Sequence, residues 1–138
     1  MPLNELPIGL ALLPCDMVIE DKRTSKKSLI GLFSQLHVPS LPYVHPFMYL
    51  YVSLTGGCSV CPCEVCCIHE ETRKKVFSLK CQVAFKGPME VSDMVFELRS
   101  IRFEDEGRYL LCAYADDTLL MTRPLMVMPK RRDQEEAK

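Results

Sequence analysis

The stretch "FEDEGRYLLC", Phe103 to Cys112, is the most specific local pattern in the chain. Asp105, Gly107 and Tyr109 follow the spacing D-x-G-x-Y. A glycine permits a tight turn, and a tyrosine two residues later can send its hydroxyl back to upstream backbone. The pattern therefore predicts a turn that leads directly into a β-strand. Because strand side chains alternate, Cys112 is expected on the opposite face from Tyr109.

Apolar and polar residues alternate along much of the remaining chain. In "VFSLKCQVAF", Val76 to Phe85, every second residue is large and apolar or cysteine, which is typical of a half-buried strand. Turn-forming residues separate eight such runs. The predicted strands are Leu10–Glu20, Ser28–Gln35, Phe47–Thr55, Cys61–Glu70, Val76–Phe85, Met94–Phe103, Arg108–Ala115 and Leu119–Met128. Together with the D-x-G-x-Y turn, they predict an all-β, antiparallel, immunoglobulin-like β-sandwich of about eight strands.

Size and charge limit the classes of function. The chain has 138 residues and a net charge of −1, so no overall field favours nucleic acid or an anionic membrane. We expect one domain over residues 1–128, followed by a charged, poorly ordered tail over residues 129–138. No run reaches the ~18 apolar residues of a membrane span. The N-terminus lacks the basic region of a secretory signal, so we expect a cytoplasmic protein, in which structural disulfides are rare.

A wider resemblance covers the chain from about Leu12 to Val127. "SLIGLF", Ser28 to Phe33, leads through a loop containing proline and histidine into a long apolar strand, and "EDEGRYLL" and "RPLMV" close the sequence. This order resembles a family of small uncharacterised bacterial proteins. The resemblance implies a sandwich fold and no established activity, cofactor or catalytic residue. The cysteines between Cys58 and Cys67 depart from the family pattern, in which ordinary aliphatic and aromatic residues fill that strand.

Five of the eight cysteines fall in "CSVCPCEVCC", Cys58 to Cys67. An extended strand would place alternate residues on one face: Cys61, Cys63, Val65, Cys67 and His69. Glu64 lies on the other face and must reach water, so we expect the first set to point inward. Free cysteine packs as a small hydrophobic residue, and packing is the interpretation that we favour. A hairpin with its loop at residues 71–73 would place Cys63 opposite Cys81, whereas a register two residues longer would pair Cys63 with Val83.

Metal binding is the alternative interpretation of the same stretch. The C-x-x-C spacing occurs twice, and Cys58, Cys61, Cys63 and Cys66 would supply the four thiolates of a zinc site. Only Pro62 connects the two pairs, however, whereas zinc ribbons use a long connection. Disulfides or a redox role rank third, because a reactive thiolate needs a nearby cation or a helix N-terminus.

No motif predicts an enzyme. The histidines are His37, His45 and His69, and none belongs to a recognisable catalytic pattern. We therefore expect a non-catalytic protein with no cofactor, zinc being the alternative, and we identify no small-molecule substrate.

Some strands are apolar on both faces, notably "FMYLYVSL", Phe47 to Leu54, and "YLLCAYA", Tyr109 to Ala115. In a free sandwich one face of each strand should be polar, so a second covering layer is predicted. The predicted function is a protein-interaction or structural module that self-associates or joins an assembly. The predicted interface consists of Met48, Leu50, Val52, Leu54, Leu110, Cys112 and Tyr114.

Overall fold

The computed structural model describes residues 6–130. The charged tail expected at residues 129–138 therefore lies outside the described residues, except for its first two. Pro129 ends the last strand, and the backbone amide of Lys130 donates a hydrogen bond of 2.8 Å to the carbonyl oxygen of Val38. These two residues thus continue the sheet.

Nine strands form two sheets in this part of the chain. The strands are β1 Ile8–Glu20, β2 Lys27–Leu32, β3 Gln35–Val38, β4 Tyr43–Thr55, β5 Ser59–His69, β6 Lys75–Phe85, β7 Val91–Phe103, β8 Gly107–Ala115 and β9 Thr118–Pro129. The four-stranded sheet has the order β2-β1-β4-β7, and the five-stranded sheet has the order β3-β9-β8-β5-β6. Among the described residues no helix is long and apolar enough to span a bilayer.

The ninth strand is the short β3, which the sequence pattern did not reveal. The predicted strand Ser28–Gln35 splits at Phe33 and Ser34, where the chain leaves one sheet and enters the other. β3 then runs parallel to β9, with Gln35 beside Met126, while the other paired strands are antiparallel. Four residues are too few for alternation to be recognised.

The two sheets enclose an apolar core made from the inward faces of their strands. β4 contributes Met48, Leu50, Val52 and Leu54, each with at most 2% of its surface exposed. β5 and β8 contribute Val65, Cys67, Leu111 and Ala113 from the opposite sheet. In β7 the alternation of inward residues is interrupted at Ser100, which has a φ of 53°. Leu98 is the last inward residue before this irregularity, and Ile101 is the first after it.

The turn before β8 has the geometry that D-x-G-x-Y predicts. The hydroxyl of Tyr109 donates a hydrogen bond to the carbonyl oxygen of Asp105. The Tyr109 ring makes edge contacts with Phe103 and His69, at centroid distances of 5.1 and 4.8 Å. Gly107 has a φ of 127°, and a Cβ there would lie 3.0 Å from Nε2 of His69. This tyrosine corner joins both sheets, and it confirms the predicted immunoglobulin-like β-sandwich.

We predict that Tyr109→Phe lowers the free energy of unfolding by about 1 kcal/mol, because one buried hydrogen bond is lost while the ring contacts remain. For a chain of this length the melting temperature should fall by roughly 3–5 °C. Tyr114→Phe is the matched control, since Tyr114 lies on the outer face of the same strand and is half-buried. Thermal unfolding followed by circular dichroism measures both. Equal melting temperatures for the two variants would contradict a stabilising role for the corner.

Candidate functional site

The cysteine-rich stretch forms β5 and runs extended, as the packing interpretation requires. Cys61, Cys63 and Cys67 are buried together with Val65 and His69 on the inward face. The carboxylate of Glu64 points the other way and accepts hydrogen bonds from Ser78 and from Lys75. These cysteines therefore occupy positions that aliphatic residues fill in an ordinary sandwich core.

Two pairs of cysteines face each other across neighbouring strands. Cys63 lies opposite Cys81 of β6 on the inward face, which is the first of the two registers that the sequence allowed, and Val83 pairs with Cys61 instead. Cys66 lies opposite Cys112 of β8 on the outer face of the same sheet. All eight cysteines are free thiols. The two cysteines of each pair lie on different strands, so the spacing of cysteines along one strand does not show which of them face each other. The pairs can be predicted only from the register in which the strands are hydrogen-bonded.

The predicted zinc site of Cys58, Cys61, Cys63 and Cys66 is not formed. Cys58 is exposed and precedes β5, whereas Cys66 points to the opposite side of the sheet from Cys61 and Cys63. Within residues 6–130, no group of three or more histidine, cysteine, aspartate or glutamate side chains is arranged to hold a metal ion. The extended backbone is the physical reason, because adjacent C-x-x-C thiols diverge unless the chain turns between them.

Burial controls the chemistry of these thiols. Removal from water raises the pKa of Cys63 and of Cys67 to about 12, with smaller contributions from neighbouring cysteines. The pKa of Cys112 is raised to about 11, chiefly by burial and then by the adjacent Cys66. Since the thiolate is the reactive form, these cysteines are protonated and inert at neutral pH.

We predict that a thiol reagent such as Ellman's reagent modifies one cysteine per native chain rapidly at pH 8. That cysteine is Cys58, which is exposed. The thiols of Cys63 and Cys67, with a pKa of about 12, are ionised in about one molecule in ten thousand at this pH. The remaining cysteines are buried or, for Cys81, half-buried, so all seven should react slowly or only on unfolding. Cys58→Ser should abolish the rapid phase. Rapid modification of three or more cysteines in folded protein would contradict the burial of β5.

His69 and His45 are held by contacts within the protein. Nδ1 of His69 accepts hydrogen bonds from the backbone amides of Glu71 and Thr72, and its Nε2 donates to the carbonyl oxygen of Glu106. His69 therefore ties the β5–β6 turn to the turn before β8, and both of its nitrogens are occupied. His45 packs edge-on against Phe33, and burial lowers its pKa.

Four of the predicted interface residues are in the core and not on the surface. Met48, Leu50, Val52 and Leu54 all point between the sheets. This part of the prediction is wrong because β4 is apolar on both faces, and alternation alone gave no sign of which face points inward. The outward set of β4 is instead Phe47, Tyr49 and Tyr51.

The remaining predicted interface residues lie on the outer face of the five-stranded sheet. Leu110 and Tyr114 are half-buried there. Cys112 lies between them but has only 3% of its surface exposed. Of this group, Leu110 and Tyr114 offer contact area, and Cys112 offers almost none.

A larger exposed apolar area lies on the outer face of the four-stranded sheet. Each residue in this set is between 43% and 54% exposed, and together we call them the apolar face: Met17, Ile19, Ile30, Leu32 and Phe47. Strand pairing brings these residues together. Met17 of β1 lies opposite Ile30 of β2, and Cys15 of β1 lies between Leu32 of β2 and Tyr49 of β4. The rings of Tyr49 and Phe47 are in edge contact at 5.9 Å.

Charged groups of both signs border the apolar face beside Phe47. Arg99 lies opposite Phe47 and Glu97 lies opposite Tyr49, and the two side chains form an ion pair of 2.6 Å on this face. This exposed pair contributes little to stability. An apolar centre with a rim of mixed charge is the composition of a protein-binding surface.

Comparison with known proteins gives a family and two structural neighbours. The sequence model of a family described as of unknown function, DUF6941, matches residues 10–128. An immunoglobulin-like protein from Pseudomonas aeruginosa is similar at 14% identity and a TM-score of 0.42, over 89% of this chain and 96% of that one. The CARDB domain of a Pyrococcus furiosus protein, solved in complex with di-metal ions, is similar at 15% identity and a TM-score of 0.40, over 93% and 95%. No curated protein matches the sequence.

Proposed function

The chain belongs to DUF6941, a family of unknown function, and we propose that it is a non-catalytic interaction module that self-associates through the apolar face. The observation that carries the proposal is the continuous exposure of Met17, Ile19, Ile30, Leu32 and Phe47 on one sheet. Contiguous apolar surface rimmed by polar groups marks interaction sites in soluble proteins.

A second copy of this chain is the partner that the surface fits. Two copies related by a twofold axis would bury the same patch on each, so every apolar side chain meets an apolar one. The border of the patch offers both charges, with Arg99 as a cation and Glu97 as an anion. A net charge of −1 produces almost no long-range repulsion between copies.

The expected association is reversible. Completing the burial of a half-exposed large apolar side chain contributes on the order of 1 kcal/mol, so ten such side chains in a dimer contribute roughly 10 kcal/mol. Lost translational and rotational freedom costs about 4–15 kcal/mol. The two quantities are similar, and we therefore expect a dimer that dissociates on dilution.

We predict that the double variant Met17→Lys/Ile30→Lys is monomeric under conditions in which the unaltered protein associates, because two charges would be buried at the centre of the interface. Sedimentation velocity over a range of concentrations measures the effect, and the monomer mass is 15.8 kDa. Val60→Lys is the matched control, since Val60 is an exposed apolar residue on the other sheet. It should associate as the unaltered protein does.

Two results would overturn the proposal. One is an unaltered protein that stays at the monomer mass up to concentrations of about 1 mM, well above the range of weak biological interfaces. The other is association that Val60→Lys abolishes and Met17→Lys/Ile30→Lys leaves intact.

A further inference from the structure

β6 is an edge strand whose outer side carries unpaired backbone groups. It is the last strand of the five-stranded sheet and pairs with β5 alone. The carbonyl oxygen of Pro62 in β5 accepts a hydrogen bond from the amide of Asp116, just beyond β8. The even-numbered residues of β5 therefore bond toward β8, and the odd-numbered ones bond toward β6. This register directs the amide and carbonyl groups of four β6 residues away from β5: Ser78, Lys80, Gln82 and Ala84.

β6 lacks the backbone irregularities that usually keep a sheet edge from pairing. Natural sheets protect their edges with prolines, with bulges or by keeping the edge strand very short. β6 has 11 residues, contains neither proline nor glycine, and keeps one register with β5 from Phe77 to Phe85. The nearby edge strand β7 differs, because Ser100 interrupts it with a φ of 53°. β6 is thus the regular edge on this side of the sandwich.

The apolar core is incompletely covered beside β6. The inward residues of β5 are buried, whereas Phe77, Leu79 and Cys81 of β6 are only half-buried. In the other sheet, Met94 and Phe96 of β7 are half-buried in the same way. The sulfur atoms of Cys81 and Met94 are 3.9 Å apart, so the two edge strands adjoin. A strand added to β6 would cover this apolar margin with every second side chain.

The charge along the edge indicates which strand would fit. Lys80 is the one charged residue between Val76 and Phe85, and it is exposed on the outer face. Glu64 lies opposite Lys80, but its carboxylate already accepts hydrogen bonds from Ser78 and Lys75. Within residues 6–130, Lys80 forms no ion pair. A second copy of β6 would bring no carboxylate to Lys80, whereas a strand with an acidic residue would.

We propose that the outer edge of β6 binds an extended segment of a partner protein. In this segment apolar residues alternate with polar ones, and an acidic residue faces Lys80. Strand addition gains affinity from main-chain hydrogen bonds and specificity from alternate side chains, and here four amides and four carbonyls of β6 are available for it. The apolar face lies on the other sheet, so binding at β6 and self-association are independent.

The probe is a fluorescein-labelled octapeptide in which valine alternates with threonine and aspartate, and fluorescence anisotropy measures its dissociation constant. Gln82→Pro should weaken binding by at least about tenfold, because it removes an edge amide and leaves the peptide's acceptor unpaired. The β5–β6 ladder keeps its hydrogen bonds, since that amide points away from β5. Gln82→Thr retains the amide and is the matched control, which should bind as the unaltered chain does.

Charge reversal tests the acidic residue of the partner. Lys80→Glu should bind the aspartate peptide several-fold more weakly and should prefer a peptide with lysine in place of aspartate. Met17→Lys/Ile30→Lys should bind the aspartate peptide as the unaltered chain does, which separates this proposal from self-association through the apolar face.

Amide hydrogen exchange of the unaltered chain supplies a readout that needs no variant. The amides of Leu79, Cys81 and Val83 should exchange slowly throughout. Those of Ser78, Lys80 and Gln82 should exchange rapidly in the free chain and slowly with the peptide bound. The proposal is overturned if the aspartate peptide at about 1 mM does not bind, or if folded Gln82→Pro binds it normally. It is also overturned if Gln82→Pro abolishes self-association, since a second copy would then occupy the edge.

Discussion

The packing of Tyr109 between Phe103 and His69, with its hydroxyl bonded to the Asp105 carbonyl oxygen, is the constraint that sets which residues of β8 point inward. It fixes Tyr109 inward at the start of β8, and alternation then turns Leu111 inward and Cys112 outward. β8 lies between β9 and β5 in the sheet. Paired residues of neighbouring strands point to the same face, so the inward residues of β8 determine which residues of β9 and β5 point inward. The inward position of Cys67 opposite Leu111 follows directly. His69 reinforces the same corner from β5 through its contact with the Tyr109 ring.

Sequence reasoning succeeded where a charged or polar residue marked the outer face of a strand. Glu64 assigned the two faces of β5 correctly, and the hairpin loop placed at residues 71–73 gave the opposed pair Cys63 and Cys81. A carboxylate or an ammonium group is costly to bury without a partner, so such a residue points outward. Because side chains alternate, it also indicates which of the other residues of the strand point inward. The sequence alone therefore predicts that Cys61, Cys63 and Cys67 lie in the core, and all three are buried.

The same reasoning failed for β4, where no such marker exists. In β4 the outward residues Phe47, Tyr49 and Tyr51 alternate with the inward residues Met48, Leu50 and Val52, and both sets consist of large, largely apolar side chains. The inward set is decided by the neighbours, because Leu12 of β1 and Leu98 of β7 each lie beside an inward residue of β4. That information lies more than 35 positions away in sequence. The exposed face of β4 is therefore the one that carries Phe47, whereas the sequence pattern had predicted an interface on the face that carries Met48.

We propose that a second copy covers the apolar face, whereas Met48 is covered by the core of a single chain. Methionine oxidation by hydrogen peroxide, followed peptide by peptide with mass spectrometry, tests both parts at once. Met17 is 45% exposed in the single chain, Met89 is 90% exposed, and Met48 is 0% exposed. On raising the protein concentration from about 1 µM to about 1 mM, Met17 should become several-fold slower to oxidise, because association is driven by mass action. Met89 should stay rapid and Met48 slow throughout. Oxidation of Met17 at the same rate at both concentrations, or rapid oxidation of Met48, would contradict the account.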